Sequence, residues 1–118
     1  MTKKEMNKIF NDAHISLDLF SIDIYFTNSK DKFIAMCNWI SVESVTDVGG
    51  RCMLNIRDDG SVMLYIGVFN ADLGTLAHEC THAALFIADT IGHKLGEVDE
   101  LVPYIAGYLF NKCHIKMV

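Results

Sequence analysis

Two histidines and a glutamate carry the sharpest chemistry in this chain. The stretch Leu76-Ala77-His78-Glu79-Cys80-Thr81-His82-Ala83-Ala84 contains H-E-x-x-H inside a long apolar run that reads as helix. On an α-helix, residues four apart stand one above the other, about 5–6 Å between Cβ atoms. His78 and His82 can therefore aim two imidazole nitrogens at one point. Zn²⁺ accepts imidazole at about 2.0–2.1 Å and takes roughly tetrahedral ligands. Glu79, one step round from His78, can reach a water on such a metal without ligating it. Two ligands, an open position and a carboxylate base are what metal-dependent hydrolysis needs.

The bland alternative is a buried helix with two partnered histidines and a surface glutamate. Against it, the motif lies in the middle of an apolar helix, where a buried glutamate and two buried histidines are costly without a metal or other partners. Cys80 sits inside the motif, but its helical angle turns it away from the His78–His82 line and into packing.

These residues need a frame, and the composition supplies one. The chain has 118 residues, which fits a single domain over 1–118, and 51% of them are hydrophobic, enough for a core. The net charge is −5 with no long basic run, which argues against nucleic acid as a partner. No apolar run reaches the length of about 18 residues that a membrane span needs. Met1-Thr2-Lys3-Lys4-Glu5 is basic, but no apolar signal core or cleavage site follows, so a cytoplasmic location is expected. Cys37, Cys52, Cys80 and Cys113 form no C-x-x-C pair, and reduced thiols are expected of all four.

Met6, Ile9 and Phe10 recur at helical spacing in residues 3–12. Leu19 to Phe26 alternates in its middle and is rich in β-branched and aromatic residues, as a strand is. Thr27-Asn28-Ser29 is a turn or cap signal, and the spacing from Phe33 to Ile40 predicts a helix over Lys30 to Ile40. Val48-Gly49-Gly50 breaks the chain. Arg51 to Ile56 and Ser61 to Phe69 are two strand-like runs about Arg57-Asp58-Asp59-Gly60, which holds the Asp-Gly hairpin signal. Asn70, Ala71 and Asp72 offer a cap for a motif helix running from about Ala71 to Ile91. Gly92 and Gly96 bracket a short loop, and a closing helix begins near Glu97 to Glu100. The fold class expected is α+β: a small, mostly antiparallel sheet with the motif helix and the closing helix packed on it.

A third metal ligand should come from that closing helix. Asp89 lies near the His78/His82 face but about 10 Å further along by helical rise. Leu85 and Ala88 occupy the positions where a glycine-linked third histidine would stand. Pro103 is tolerated only in a first turn, which starts the closing helix near Asp99 or Glu100. A carboxylate there also suits the helix dipole. Glu100 is favoured, with Asp99 and Glu97 open as alternatives. Gly107, on the same side as Glu100, Tyr104 and Tyr108, would let the two helices approach closely.

His78-Glu79-x-x-His82 followed 18 residues later by Glu100 resembles the gluzincin branch of the zincin metallopeptidases. Thr75 to Leu85 and Asp99 to Leu109 also resemble small zincin-like proteins encoded by bacteriophages and prophages, and the specific likeness covers about residues 62 to 110. The resemblance implies a zincin-like fold, with His78, His82 and Glu100 as Zn²⁺ ligands and Glu79 as general base. Many gluzincins carry an aspartate four residues after the glutamate ligand, to orient a ligand histidine. Tyr104 stands there in this chain. Tyr104 and His93 are the candidates for stabilising the transition state.

Two functions follow as expectations. One is a zinc metallopeptidase that hydrolyses a peptide bond in a peptide or protein substrate, through a water on the zinc activated by Glu79. The other is a non-catalytic zincin-fold binding protein with structural zinc, such as a phage accessory protein acting on a host factor in the host cytoplasm.

Overall fold

The structure is a computed structural model that describes residues 1–17, 22–44, 48–93 and 99–117. Its elements run α1 (Lys3–Ala13), β1 (His14–Ile15), β2 (Ile22–Thr27), α2 (Lys30–Trp39), β3 (Gly50–Ile56), β4 (Val62–Val68), α3 (Leu73–Thr90) and α4 (Leu101–Met117). The fold is α+β, with four helices around one four-stranded sheet in the order β1-β2-β4-β3.

Local signals place most of these ends. Thr2 caps α1 by accepting from the Glu5 N–H, and Ser29 caps α2 by accepting from the Lys32 N–H. The Asp-Gly signal is a hairpin turn, one residue longer than a two-residue loop. Gly60, at φ +85°, donates to the Arg57 carbonyl at 2.9 Å, and Asp59 accepts from the Ser61 amide and hydroxyl. The expected strand from Leu19 begins at Ile22 among the described residues, because residues 18–21 lie outside them.

The sheet is mixed: two of its three pairings are antiparallel, and the central one is parallel. β1–β2 and β3–β4 pair antiparallel, but β2 and β4 pair parallel, Ile24 opposite Leu64. Both of these strands lead into a helix, α2 after β2 and α3 after β4, and the two helices cover opposite faces. One face of the sheet packs Ile24, Phe26, Leu64 and Ile66 against Leu76, Ala83 and Ile87 of α3 and Ile105 and Leu109 of α4. The other packs Met53, Met63 and Tyr65 against Phe33 and Met36 of α2 and Ala13 of α1. β4 is consequently buried at every position, which is why its sequence is an unbroken apolar run.

β3 is an outer strand, paired on one side with β4 and with no described strand on the other. The direction of its backbone groups follows from two bonds. Phe69 N–H donates to the Gly49 carbonyl at 2.7 Å, and Arg57 N–H donates to the Ser61 carbonyl at 2.9 Å. Residues 49 and 57 thus turn their polar groups toward β4. By the alternation of an antiparallel ladder, Gly50, Cys52, Leu54 and Ile56 turn theirs to the open side. No described helix is long and apolar enough to cross a membrane.

Candidate metal centre

Four residues separate the end of β4 from the start of α3, and two of them, Asn70 and Asp72, line one wall of a cleft. Asp72 caps the helix, its Oδ1 accepting from the Gly74 N–H at 2.6 Å and the Thr75 N–H at 3.4 Å. Asn70 braces the same turn: Oδ1 accepts from the Asp72 N–H at 3.1 Å, and Nδ2 donates to Thr75 Oγ1 at 3.0 Å. Ala71 between them holds φ +56°, a left-handed conformation that alanine adopts at a cost. Replacing Asp72 by alanine is expected to lower stability by about 1 kcal/mol, as loss of a cap does. Urea denaturation of the two proteins measures it.

One and a half turns into α3 the motif unfolds its three side chains. His78 and His82 approach with Nε2 atoms 3.1 Å apart and rings crossed at 79°. Two nitrogens bound to one tetrahedral ion at about 2.05 Å lie about 3.3 Å apart, so the pair fits one cation with little adjustment. His82 also stacks on Phe86, ring centroids 6.4 Å apart, which limits its rotation. The Glu79 carboxylate belongs to the same group: one ligand atom from each of His78, Glu79 and His82 lies within 4.8 Å of the others.

Burial corrects one expectation. The histidines are exposed, and Glu79 alone of the three is buried, at 6% exposure. Helical geometry explains this. Leu76, Cys80, Ala83, Ala84 and Ile87 form the core face of α3, which leaves His78 and His82 on the far side and Glu79 at the flank. That flank leans on β3. A Cβ built on Gly50 would lie 2.6 Å from Thr75 Cγ2, 3.0 Å from the Gly67 carbonyl oxygen and 3.1 Å from Glu79 Cγ. Only glycine lets the strand come this close. An alanine at position 50 is expected to cost about 1–3 kcal/mol through overpacking and to displace Glu79. A thermal melt beside a metal-binding titration reads both.

Gly49, Gly50, Asn70, Thr75, His78 and Glu79 line an open cleft of about 510 Å³ at this end of β3. In the sequence Gly49 and Gly50 read only as a chain break. Tandem glycine at the head of a strand is a signal for close approach of another backbone, and it marks this wall.

The other sequence candidates lie elsewhere. α3 ends in a Schellman turn, with Gly92 at φ +77°, its N–H donating to Asp89, and the His93 N–H donating to Ala88 at 2.9 Å. His93 Nε2 then meets Asp99 Oδ2 at 2.9 Å. Asp99 Oδ1 meanwhile caps α4 through the Leu101 and Val102 amides. The His93 hydrogen bond, with those amides, holds the Asp99 carboxyl below its ordinary range. Asp99 is thus committed as a cap, and His93 as its partner. Glu97 lies outside the described residues.

Glu100 is exposed and is not in the His78–Glu79–His82 group. α4 packs antiparallel on α3, because Asp99 meets His93 at one end and the Cys113 thiol meets Cys80 at the other. Glu100 is therefore level with the end of α3, more than two turns beyond His82. The α4 face toward the core is Ile105, Leu109 and Cys113, while Tyr104 is 67% exposed. A Cβ on Gly107 would touch nothing within 4 Å, so the close approach expected there does not occur. Cys80 is buried in the core as expected, and all four cysteines are free thiols. Burial and the neighbouring Glu79 carboxylate push the Cys52 thiol up to about 12, so it stays neutral beside the cleft.

A scan against protein-family models finds no match, and neither the curated proteins nor the solved structures contain a significant match to this chain. The candidate centre rests on its own geometry.

Proposed function

We propose that the protein is a metal-dependent peptidase of zincin type, with His78 and His82 holding Zn²⁺ and Glu79 acting as general base. The observation that carries this reading is the contrast within one group: two exposed imidazoles with converging nitrogens, and beside them the carboxylate of Glu79, a residue that is 6% exposed. Zn²⁺ bound there would supply Lewis acidity and lower the pKa of a coordinated water from 15.7 toward about 7.

The chain's own residues do the rest. For both histidines to serve as ligands, each Nε2 must present its lone pair, so each ring carries its proton on Nδ1. Glu79 accepts a proton from the attacking water and delivers it to the leaving amine. Gly50 lies close against the Glu79 side chain and leaves it room. The open edge of β3 offers the substrate backbone a row of donors and acceptors that begins at Gly50, beside Glu79. An extended peptide can add there as a further strand. Cleavage of an unfolded polypeptide by the zinc-loaded protein, lost on chelation and restored by zinc, tests the reading. A fully loaded protein with no cleavage would overturn it.

On the third ligand the resemblance and the geometry part. The zincin likeness proposes Glu100, which the described arrangement places at the other end of α3. Zinc affinity of a Glu100→Ala variant is accordingly expected to match the parent. A loss of tenfold or more, by competition with a chromophoric chelator, would show that the head of α4 reaches the histidine pair when metal binds.

One observation favours the binding-protein alternative, in which zinc is structural and the partner is a host factor. The histidine pair is exposed, and neither Tyr104 nor His93 stands with it to stabilise an oxyanion. The intact, buried Glu79 tips the balance to hydrolysis, because a structural site has no use for a base.

A further inference from the structure

Trp39, the last residue of α2, and Ile56, the last of β3, stay largely open to solvent, at 51% and 62% exposure. With Ile40 they line a hollow of about 620 Å³ whose rim carries Arg57, Asp58 and Asp59. Leu54, also exposed, lies two residues back along the strand. Apolar residues on a sheet edge that no described strand covers invite pairing, and edge strands are ordinarily blunted with lysine, proline or a bulge. β3 has neither lysine nor proline, and its one charged residue, Arg51, is at the opposite end.

The hollow is not isolated from the cleft. The outward-turned backbone groups of Gly50, Cys52, Leu54 and Ile56 form one row that starts beside Glu79 and ends at the hollow. At about 3.4 Å per residue the row spans about 20 Å. An occupant that uses both the row and the hollow must be an extended chain.

We propose that the Trp39–Ile56 hollow is a remote anchor for substrate. The substrate class is then an unfolded polypeptide segment of about seven residues or more, with a bulky apolar side chain seated against Trp39 and Ile56. This rests on the peptidase reading for its catalytic end, and adds to it a length and a sequence requirement. Antiparallel addition is the better-bonded arrangement, and it runs the guest from the hollow toward the cleft. The anchoring side chain therefore lies on the N-terminal side of the bond to be cut. A second copy of this chain is the poorer occupant. Pairing β3 with β3 about 4.8 Å apart brings a second α3, which packs over its own β3, against the face carrying His78 and His82.

Trp39 is the only tryptophan in the chain, so its emission reports on the hollow directly. The probe is a twelve-residue peptide with leucine at alternate positions of its N-terminal half and threonine and lysine elsewhere. It is titrated into the full-length Glu79→Gln protein, which cannot consume it. The expected result is a saturable blue shift of Trp39 emission. It should weaken at least tenfold with Ile56→Asp, and as much with serine in place of the leucines. Circular dichroism verifies that the exposed substitution leaves the fold intact. N-methylating the peptide amides that face β3 should abolish binding, while methylating the alternate set should not. No saturable shift, equal affinity for Ile56→Asp, equal affinity for a four-residue peptide, or a concentration-dependent dimer that buries Trp39 would each overturn the anchor. Cleavage by the zinc-loaded parent is scored separately. Binding without cleavage leaves the anchor standing and removes the peptidase reading, whereas cleavage that ignores the leucines removes the anchor alone.

Discussion

Replacing Glu79 by glutamine is expected to abolish hydrolysis while metal content and melting temperature stay at the parent's values. The amide has the carboxylate's shape and fits the same place beside Gly50, but it cannot accept the proton of the attacking water. General-base catalysis by a positioned side chain is worth about 10²- to 10⁴-fold, and kcat should fall by that order with KM little changed. The replacement keeps the side chain's size and packing, so no loss of stability is expected. Steady-state kinetics on an unfolded polypeptide, beside metal analysis, gives the answer. If Glu79→Gln keeps the biological effect of the protein while a histidine variant destroys it, zinc is structural and the binding-protein reading prevails.

The second large effect is on the metal itself. The parent should hold about one Zn²⁺ per chain, and His78→Ala or His82→Ala should each remove it. The two Nε2 atoms, 3.1 Å apart, are the only imidazole pair gathered with a carboxylate among the described residues. With either imidazole gone, one ligand of that pair remains, too few to hold zinc. Both histidines are exposed, so neither substitution opens a cavity, and the metal-free variants should melt close to the metal-free parent. Zinc-loaded parent should melt higher than either, since a ligand that binds only the folded state stabilises it by mass action. Metal content unchanged in either variant would sink the site.

Much of this arrangement is written locally. The four-residue spacing of His78 and His82 is enough to bring their nitrogens together once a helix forms, and Asp72 and Ser29 show as cap residues because capping needs only the next three amides. Gly60 marks its hairpin for the same reason. What the sequence leaves open is set by partners distant along the chain. Nothing in Ile22–Thr27 says that its neighbour in the sheet runs the same way, because side-chain alternation is identical in parallel and antiparallel strands. The apolar stretch around the motif suggested that both histidines are buried, yet the core takes only one side of α3, and the small residues Ala83 and Ala84 lie on that side. Glu100 fits a zincin spacing in sequence, but the level at which α4 meets α3 is fixed by Cys80 against Cys113 and His93 against Asp99, and no periodicity reports that. The open edge of β3 depends on which strand ends up outermost.

The parallel pairing of β2 with β4 has a kinetic consequence. β3 and β4 are joined by a tight turn, and α3 follows at once, so the segment from Gly49 to Thr90 can close on itself through near-neighbour contacts. β2 reaches β4 only after α2 and β3 have been placed, across about forty residues of chain, and the loop entropy of that closure must be met before any contact repays it. Assembly should therefore begin with the half of the protein that carries the histidines and the cleft. The half contributed by β1, β2 and α1 docks afterwards, so variants at Ile24 should act mainly by hastening unfolding, and those at the Gly60 turn by slowing folding.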